Sequence, residues 1–360
     1  MSNSIEGGRV MFEANVHSKS QVRWKVVSPE CSEEVRAVLT ECYGVSGVQS
    51  VLQVDEWEQA SHNYRVAYRK LGGASREVLL RRHILQEIDS IRTSTAMIDH
   101  LRNYAVSTPA IILANGGRSF VESGGYYWQM FEFFAGDHFR GEEGELSNVA
   151  TLIARMHHAF DVFPDKRNIG SIDAILAPLD TTYWNSIPAT AGANPFEGFL
   201  RGKRAFIREE VARVSCVLPS ESQYGVIHGD LHPYNLLFSE RQECAILDFG
   251  NMCIADQRYD IAMALHRLVR QYVVYQGKPW RETLPEGVRI FLDAYASMDL
   301  SVMREMNFLP VFMKGLLLRR IAGNAYHYRK GTRSWENCLS QCTRFLGYLE
   351  EVNEIEAILS

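Results

Sequence analysis

Apolar and polar positions follow two different rhythms along this chain. Up to about residue 134 they alternate with a period of two. Asn63 to Arg69 sets Tyr64, Val66 and Tyr68 against polar neighbours, and Val48 to Val54 has the same strand character. LGGAS then makes a turn, and Glu77 to Arg82 returns as the second arm of a hairpin. Ala110 to Leu113 and Tyr126 to Phe134 read as further strands, separated by the turns NGG and SGG. A helix is predicted over Ser32 to Tyr43, where Val35, Val38, Leu39 and Cys42 share one side and Gly44 stops it; another lies around Thr95 to Tyr104. This front part is expected to be a mostly antiparallel sheet with about one long helix packed on it.

Beyond Ala135-Gly136 the period lengthens to that of helices. Leu146 to Phe160, Gly198 to Val214, Tyr259 to Tyr275, Gly287 to Ala296, Val302 to Tyr328 and Ser334 to Leu359 all read as helical. Between the second and third lie short strands at Gly225 to Ile227, Asn235 to Phe238 and Cys244 to Leu247. The expected class is α+β in two lobes: residues 1–30 an arm or added strand, 31–134 a sheet lobe, 135–360 a helical lobe. The joint falls near Phe134 to Asp137, and a cleft between lobes is a usual place for a small ligand.

Composition narrows the function classes. Hydrophobic residues make up 46% and charged residues 22%, an ordinary globular balance. A formal net charge of -5 argues against a nucleic-acid partner. Seven scattered cysteines with no C-x-x-C pair speak against a zinc site or a disulfide framework. Cys338 and Cys342, one helical turn apart, read as apolar face residues. The start MSNSIEGGRVMFEANV has no signal-peptide pattern, and the apolar stretch Phe308 to Leu318 is interrupted by Lys314. A soluble cytoplasmic protein without a membrane partner is the expectation.

The stretch VIHGDLHPYNLLF, Val226 to Phe238, places two histidines, an aspartate and an asparagine between apolar flanks. Burying such a loop is costly unless its polar groups are satisfied. The following SERQECAILDFGN reads as a hairpin that brings Asp248 back toward Asp230 and Asn235. Two carboxylates and an amide oxygen form a hard oxygen site suited to Mg²⁺ carrying phosphate oxygens. The remaining carboxylate can accept a proton from a hydroxyl.

His228-x-Asp230 with Asn235, followed by Asp248-Phe249-Gly250, resembles the catalytic loop and metal motif of the protein-kinase-like superfamily. HGDLHPYN is similar to the form found in the aminoglycoside phosphotransferase and choline kinase family, and QRYDIAMAL resembles the helix that follows. LPVFMKGLLLRR resembles a rear-lobe helix of homoserine-kinase-like members. The resemblance implies a bilobal protein-kinase-like fold and an ATP- and Mg²⁺-dependent kinase acting on a small-molecule hydroxyl. It implies Asp230 as catalytic base, Asn235 and Asp248 as metal ligands, and His228 and Asp260 as supports of the loop. His232, His157 and His158 read as structural.

For the nucleotide, the resemblance places adenine against the joint, with Glu132 and Phe134 offering backbone groups. A phosphate-covering turn is expected at Gln59 to Asn63, where Ser61 and Asn63 are candidates. The strand EVLLRR holds no lysine, so Arg81 stands nearest the phosphate anchor, with Arg82 on the opposite face. Glu87 or Asp99 would be its acidic partner. A protein Ser/Thr kinase and a nucleotide-binding scaffold without turnover are the alternatives. The interval from Asp248 to Asp260 is short for a peptide-docking segment. Glu142, Glu143 and Glu145, with Arg319, Arg320, Tyr326 and Tyr328, suggest an acceptor with an amine for the carboxylates and a carboxylate for an arginine: an amino alcohol, a hydroxy amino acid or an aminoglycoside, with neutral sugars also open. A solvated helix face would also explain the three glutamates.

Overall fold

The computed structural model describes residues 22–55, 62–69, 73–84, 88–170, 194–217, 224–298 and 307–359. The front part is an antiparallel sheet of β1 (Trp24–Val26), β2 (Val48–Val54), β3 (His62–Arg69), β4 (Ser75–Ile84), β5 (Ile111–Ile112), β6 (Val121–Ser123) and β7 (Tyr126–Glu132), with two helices, α1 (Pro29–Tyr43) and α2 (Ile88–Asn103). The strand order is β1-β2-β3-β4-β7-β5, and β6 pairs with β7. The described end of the expected arm is thus the edge strand β1.

Successive strand residues face opposite sides, and this sheet uses both. Tyr64, Val66, Val78, Leu80, Trp128 and Met130 bury one face against Val35, Val38 and Leu39 of α1. On the other face Asn63, Arg65, Leu79, Arg81, His83 and Gln129 line a cleft. α1 is delimited by its caps: the Cys31 amide donates to the Ser28 hydroxyl (3.3 Å), and Gly44 takes the left-handed conformation at φ 64°. The second front helix begins at Ile88, well before the expected Thr95. The run SIRTST is helical nonetheless, and its Ser94 and Thr95 hydroxyls are satisfied by donating back to the Ile91 carbonyl, at 3.1 and 2.7 Å.

The rear part is built from α3 (Glu143–Asp161), α4 (Pro195–Val217), α5 (Arg258–Ala264), α6 (Arg270–Gln276), α7 (Trp280–Ala296), α8 (Leu309–Arg329) and α9 (Trp335–Leu359). Two small sheets lie against them. β8 (Asp137–His138) and β11 (Cys244–Ile246) flank β10 (Leu236–Phe238), while β9 (Tyr224–Ile227) pairs with β12 (Cys253–Asp256). β8, of only two residues, and β12 were not expected. α8 is buried on almost every side, which is why its hydrophobic stripe has no polar counterpart. The expected helix Tyr259 to Tyr275 is interrupted: a π-helical turn, Leu265–Val269, separates α5 from α6. α7 starts at Trp280, earlier than Gly287, and runs through Pro285. Cys338 and Cys342 are buried thiols, as their spacing suggested. Among the described residues no helix is long and apolar enough to cross a membrane.

Candidate active site

A cavity of about 1250 Å³ separates the sheet's open face from the helical part. Asp230, Asn235 and Asp248 all line it, opposite Arg81. The loop from His228 to Asn235 is held from below by Asp260, in the first turn of α5 and fully buried. Its carboxylate accepts the amides of His228 (2.6 Å) and Gly229 (2.9 Å), and lies 3.3 Å from His157 Nε2. With Nε2 donating there, His157 Nδ1 accepts the Tyr295 hydroxyl at 2.9 Å. Gly229 is obligatory: φ is +77°, and a Cβ would stand 2.5 Å from the Asn251 carbonyl oxygen.

His228 ties the loop to the metal-motif turn. Its Nε2 donates to the Leu247 carbonyl (2.8 Å), while Nδ1 accepts the Asp230 amide (3.3 Å), so the ring is the neutral Nε2–H tautomer. Asn235 Nδ2 donates to the Asp230 carbonyl at 2.8 Å, which leaves its Oδ1 as an acceptor. Asp248 sits at φ 62°, ψ 72°, a left-handed backbone that is costly for a residue with a Cβ. Its Oδ1 receives Arg81 Nη1 at 3.1 Å and the Gly250 amide at 3.4 Å.

Electrostatics keep both carboxylates ionised. Burial pushes the Asp230 carboxyl up, but the His232 hydrogen bond, followed by the Arg320 guanidinium, outweighs it and holds it below the ordinary value. His232 Nε2 is 3.3 Å from Asp230 Oδ2, and its Nδ1 accepts the Tyr234 amide. For Asp248 burial again opposes ionisation, and the adjoining Arg81 guanidinium leads the groups that bring it below the usual carboxylate range.

Some expected nucleotide residues are placed differently. Asn63 is inside β3, opposite Arg81 in register, rather than in a turn; it still lines the cavity. Ser61 and Glu87 lie outside the described residues. Asp99 is exposed on α2 and is not the partner of Arg81, which pairs with Asp248. Arg82 points the other way, to Glu34 at 3.0 Å and the rings of Tyr64, Tyr126 and Trp128. Glu132 and Phe134 both line the cavity. The Glu132 amide, however, donates to the Ala110 carbonyl (2.8 Å), so it is committed to the sheet.

The acidic cluster is a helix cap. Glu145 is fully buried and accepts the amides of Arg140, Gly141 and Glu142; Glu142 pairs with Arg140 at 3.3 Å. None of Glu142, Glu143 and Glu145 lines the cavity. Tyr328 donates to Glu197 (2.6 Å), Tyr326 is exposed, and neither these tyrosines nor Arg319 reaches the cavity wall. His158 is exposed too. Arg320 does reach the wall, 3.9 Å from Asp230. Beside it stand Arg267, Arg270 and Arg344, which the sequence reading missed. The available signal was the segment HRLVR, two arginines in an otherwise apolar helical run.

Comparison with known proteins follows the same lines. Residues 56–301 match the model of the phosphotransferase enzyme family. The homoserine kinase of Rhizobium johnstonii is 28% identical over 235 residues, 64% of this chain and 68% of that protein. The homoserine kinase of Rhodopseudomonas palustris is 26% identical over 182 residues, half of each chain. The chain thus spans from half to about two thirds of these curated relatives. A microcompartment-associated aminopropanol kinase superposes with a TM-score of 0.63 at 19% identity, covering 91% of this chain and 100% of that one. A spectinomycin phosphotransferase in complex with ADP and spectinomycin gives 0.60 at 12% identity, over 91% and 97%. The bilobal protein-kinase-like fold is the one these structures share.

Proposed function

The chain belongs to the phosphotransferase enzyme family, and on that premise we propose that it transfers the γ-phosphoryl group of ATP to a hydroxyl of a small molecule. The observation that carries the reading is the convergence of Asp230, Asn235 and Asp248 on one cavity, with Arg81 facing them. The acceptor hydroxyl hydrogen-bonds to the ionised Asp230 carboxylate, which aims its oxygen at the γ-phosphorus. As the new P–O bond forms, the bond to the β-phosphate oxygen breaks, ADP leaves and the hydroxyl proton passes to Asp230. Most of the acceleration comes from positioning and charge neutralisation, with the general base adding to them.

Adenine is assigned to the joint, where Phe134 lines the cavity just beyond the end of β7. Asn63, Arg81 and Gln129, in register on three adjacent strands, form the wall nearest the phosphates. The donor set fits Mg²⁺: an amide oxygen and a carboxylate are hard ligands, and phosphate oxygens complete such a site. Among the described residues no group of three or more His, Cys, Asp or Glu could hold a metal by itself. Bound there by Asn235 and Asp248, the ion would neutralise phosphate charge. The segment between Asp248 and the start of α5 at Arg258 holds only a single turn and β12. So short a segment favours a small acceptor over a peptide.

The relatives' names put amino alcohols and hydroxy amino acids foremost among acceptors. ADP release measured over hydroxy amino acids, amino alcohols, aminoglycosides and neutral sugars tests the reading, with Asp230→Ala as the control. Acceptor-dependent release no greater than that control would refute it.

A further inference from the structure

Resting on the kinase reading, we infer that the acceptor carries an anionic group, a carboxylate or a phosphate, bound by Arg267 and Arg320 next to Asp230. The fold's treatment of its other inward cations makes these two stand out. Arg258, fully buried, has Asp256 at 2.7 Å; Arg270 has Glu351 at 3.1 Å; Lys314 has Glu356 at 2.5 Å. Removing a guanidinium from water is costly without such a partner. Arg267 is partly buried in the cavity wall and, among the described residues, makes neither an ion pair nor a side-chain hydrogen bond. Arg320, with its side chain 40% exposed at the cavity wall, lies 6.0 Å from the Phe345 ring, and among the described residues its one ion-pair neighbour is Asp230, at 3.9 Å, beyond hydrogen-bond reach. Asp230 is already shared with His232.

The backbone is shaped to place Arg267. It lies in the π-helical turn Leu265–Val269, a widened turn of the kind that re-aims side chains at functional sites. Without the turn, α5 and α6 would be one continuous helix and the residues after it would rotate to other faces. The cost of gathering these cations is visible locally. Burial, followed by the Arg320 charge, brings the Arg267 guanidinium down to about 10. His266 is held neutral by burial and by Arg267, Arg270 and Arg320. An anion between Arg267 and Arg320 relieves that repulsion and supplies the missing partner. Its distance from Asp230 sets which hydroxyl of the acceptor is presented.

The test uses the full chain at saturating ATP and four groups of hydroxyl compounds. L-homoserine, L-serine and D-glycerate carry a carboxylate, and glycerol 3-phosphate a phosphate. 2-Aminoethanol and 2-amino-1,4-butanediol carry an amine without an acid, while glycerol and D-ribose are neutral. Expected is a kcat/KM roughly 100-fold higher for an acidic acceptor than for its matched non-acid, as for L-homoserine against 2-amino-1,4-butanediol, the usual weight of a charge-assisted pair. Whichever acidic group is preferred, carboxylate or phosphate, identifies the ligand. Arg267→Gln and Arg320→Gln should raise the KM of that acceptor about 10- to 100-fold, and Arg267→Lys should recover part of the loss. If the variants fail to fold, the matched pair on the unaltered chain still decides.

Turnover that is best with amino alcohols or neutral compounds overturns the inference and leaves the kinase reading standing. If no compound is consumed, the kinase reading fails instead. Titration of L-homoserine and 2-amino-1,4-butanediol in the presence of AMP-PNP then judges the anion site. Equal affinities would overturn it.

Discussion

Arg81 on β4 and Asp248 in the turn after β11 meet across the cleft, Nη1 to Oδ1, at 3.1 Å. The pair joins the sheet to the turn after β11, and of the two adjacent arginines it is Arg81 that lines the cleft. Arg81→Ala should therefore raise the KM for ATP roughly 10- to 100-fold, the weight of one or two charged hydrogen bonds. Arg82→Ala should leave that KM alone and lower the melting temperature, since Arg82 serves Glu34 and three aromatic rings on the closed face. Initial rates and thermal melts on the two variants decide; the reverse pattern would assign the phosphate role to Arg82.

Asp230→Asn should keep nucleotide binding and lower kcat by roughly 10²- to 10⁴-fold, the span of a positioned general base. The asparagine preserves shape and the neighbouring His232 contact but cannot take the proton. Single-turnover rates equal to those of the unaltered chain would remove Asp230 from the chemistry.

What could be read from the sequence was local, and what could not was set by tertiary contact. Asp230, Asn235 and Asp248 sit on a strand-loop-strand run whose spacing alone draws them together. Asp260 came instead from the resemblance of QRYDIAMAL to the helix that follows the motif. Arg81 was told from Arg82 by strand alternation. Arg267 escaped because a helical reading assumes one period throughout, and the π turn that aims it leaves no mark on hydrophobic spacing. The start of α2 was hidden because its first turns are rich in Ser and Thr, and the Ser94 and Thr95 hydroxyls are satisfied by the helix's own Ile91 carbonyl. The glutamates Glu142 to Glu145 looked like an acceptor site because sequence shows charge but not direction. Three backbone amides occupy Glu145.

On the proposed reading Asp260 acts by positioning the His228–Asn235 loop, and its removal should reach the rate through that loop. Asp260→Ala strips two amides and His157 of their acceptor in a fully buried place, which should cost about 2–4 kcal/mol of stability. In the folded fraction kcat should fall while the KM for ATP changes less than threefold, because Arg81 and the joint are untouched. Denaturant unfolding and steady-state kinetics provide the two readouts. An unchanged kcat in folded protein would show that the loop keeps its shape without this brace.

His83 gives the fold a dependence on pH. It is buried on the cleft face of β4, and burial, followed by the Arg81 charge, lowers its pKa to about 4, against smaller opposing effects of Gln129 and Asp248. The unfolded chain takes up this proton near pH 6.5 and the folded chain only near 4. Its contribution to stability is therefore complete above about pH 6.5 and is lost as the pH falls toward 4, amounting to about 3 kcal/mol at most. Since other groups titrate in the same window, the difference between the unaltered chain and His83→Gln isolates the effect. Urea unfolding from pH 7.5 to 4 should show the unaltered chain losing stability more steeply than the variant, with the two curves diverging below about pH 6.5. Parallel curves across that range would mean that His83 is protonated in the folded protein as readily as in the unfolded one.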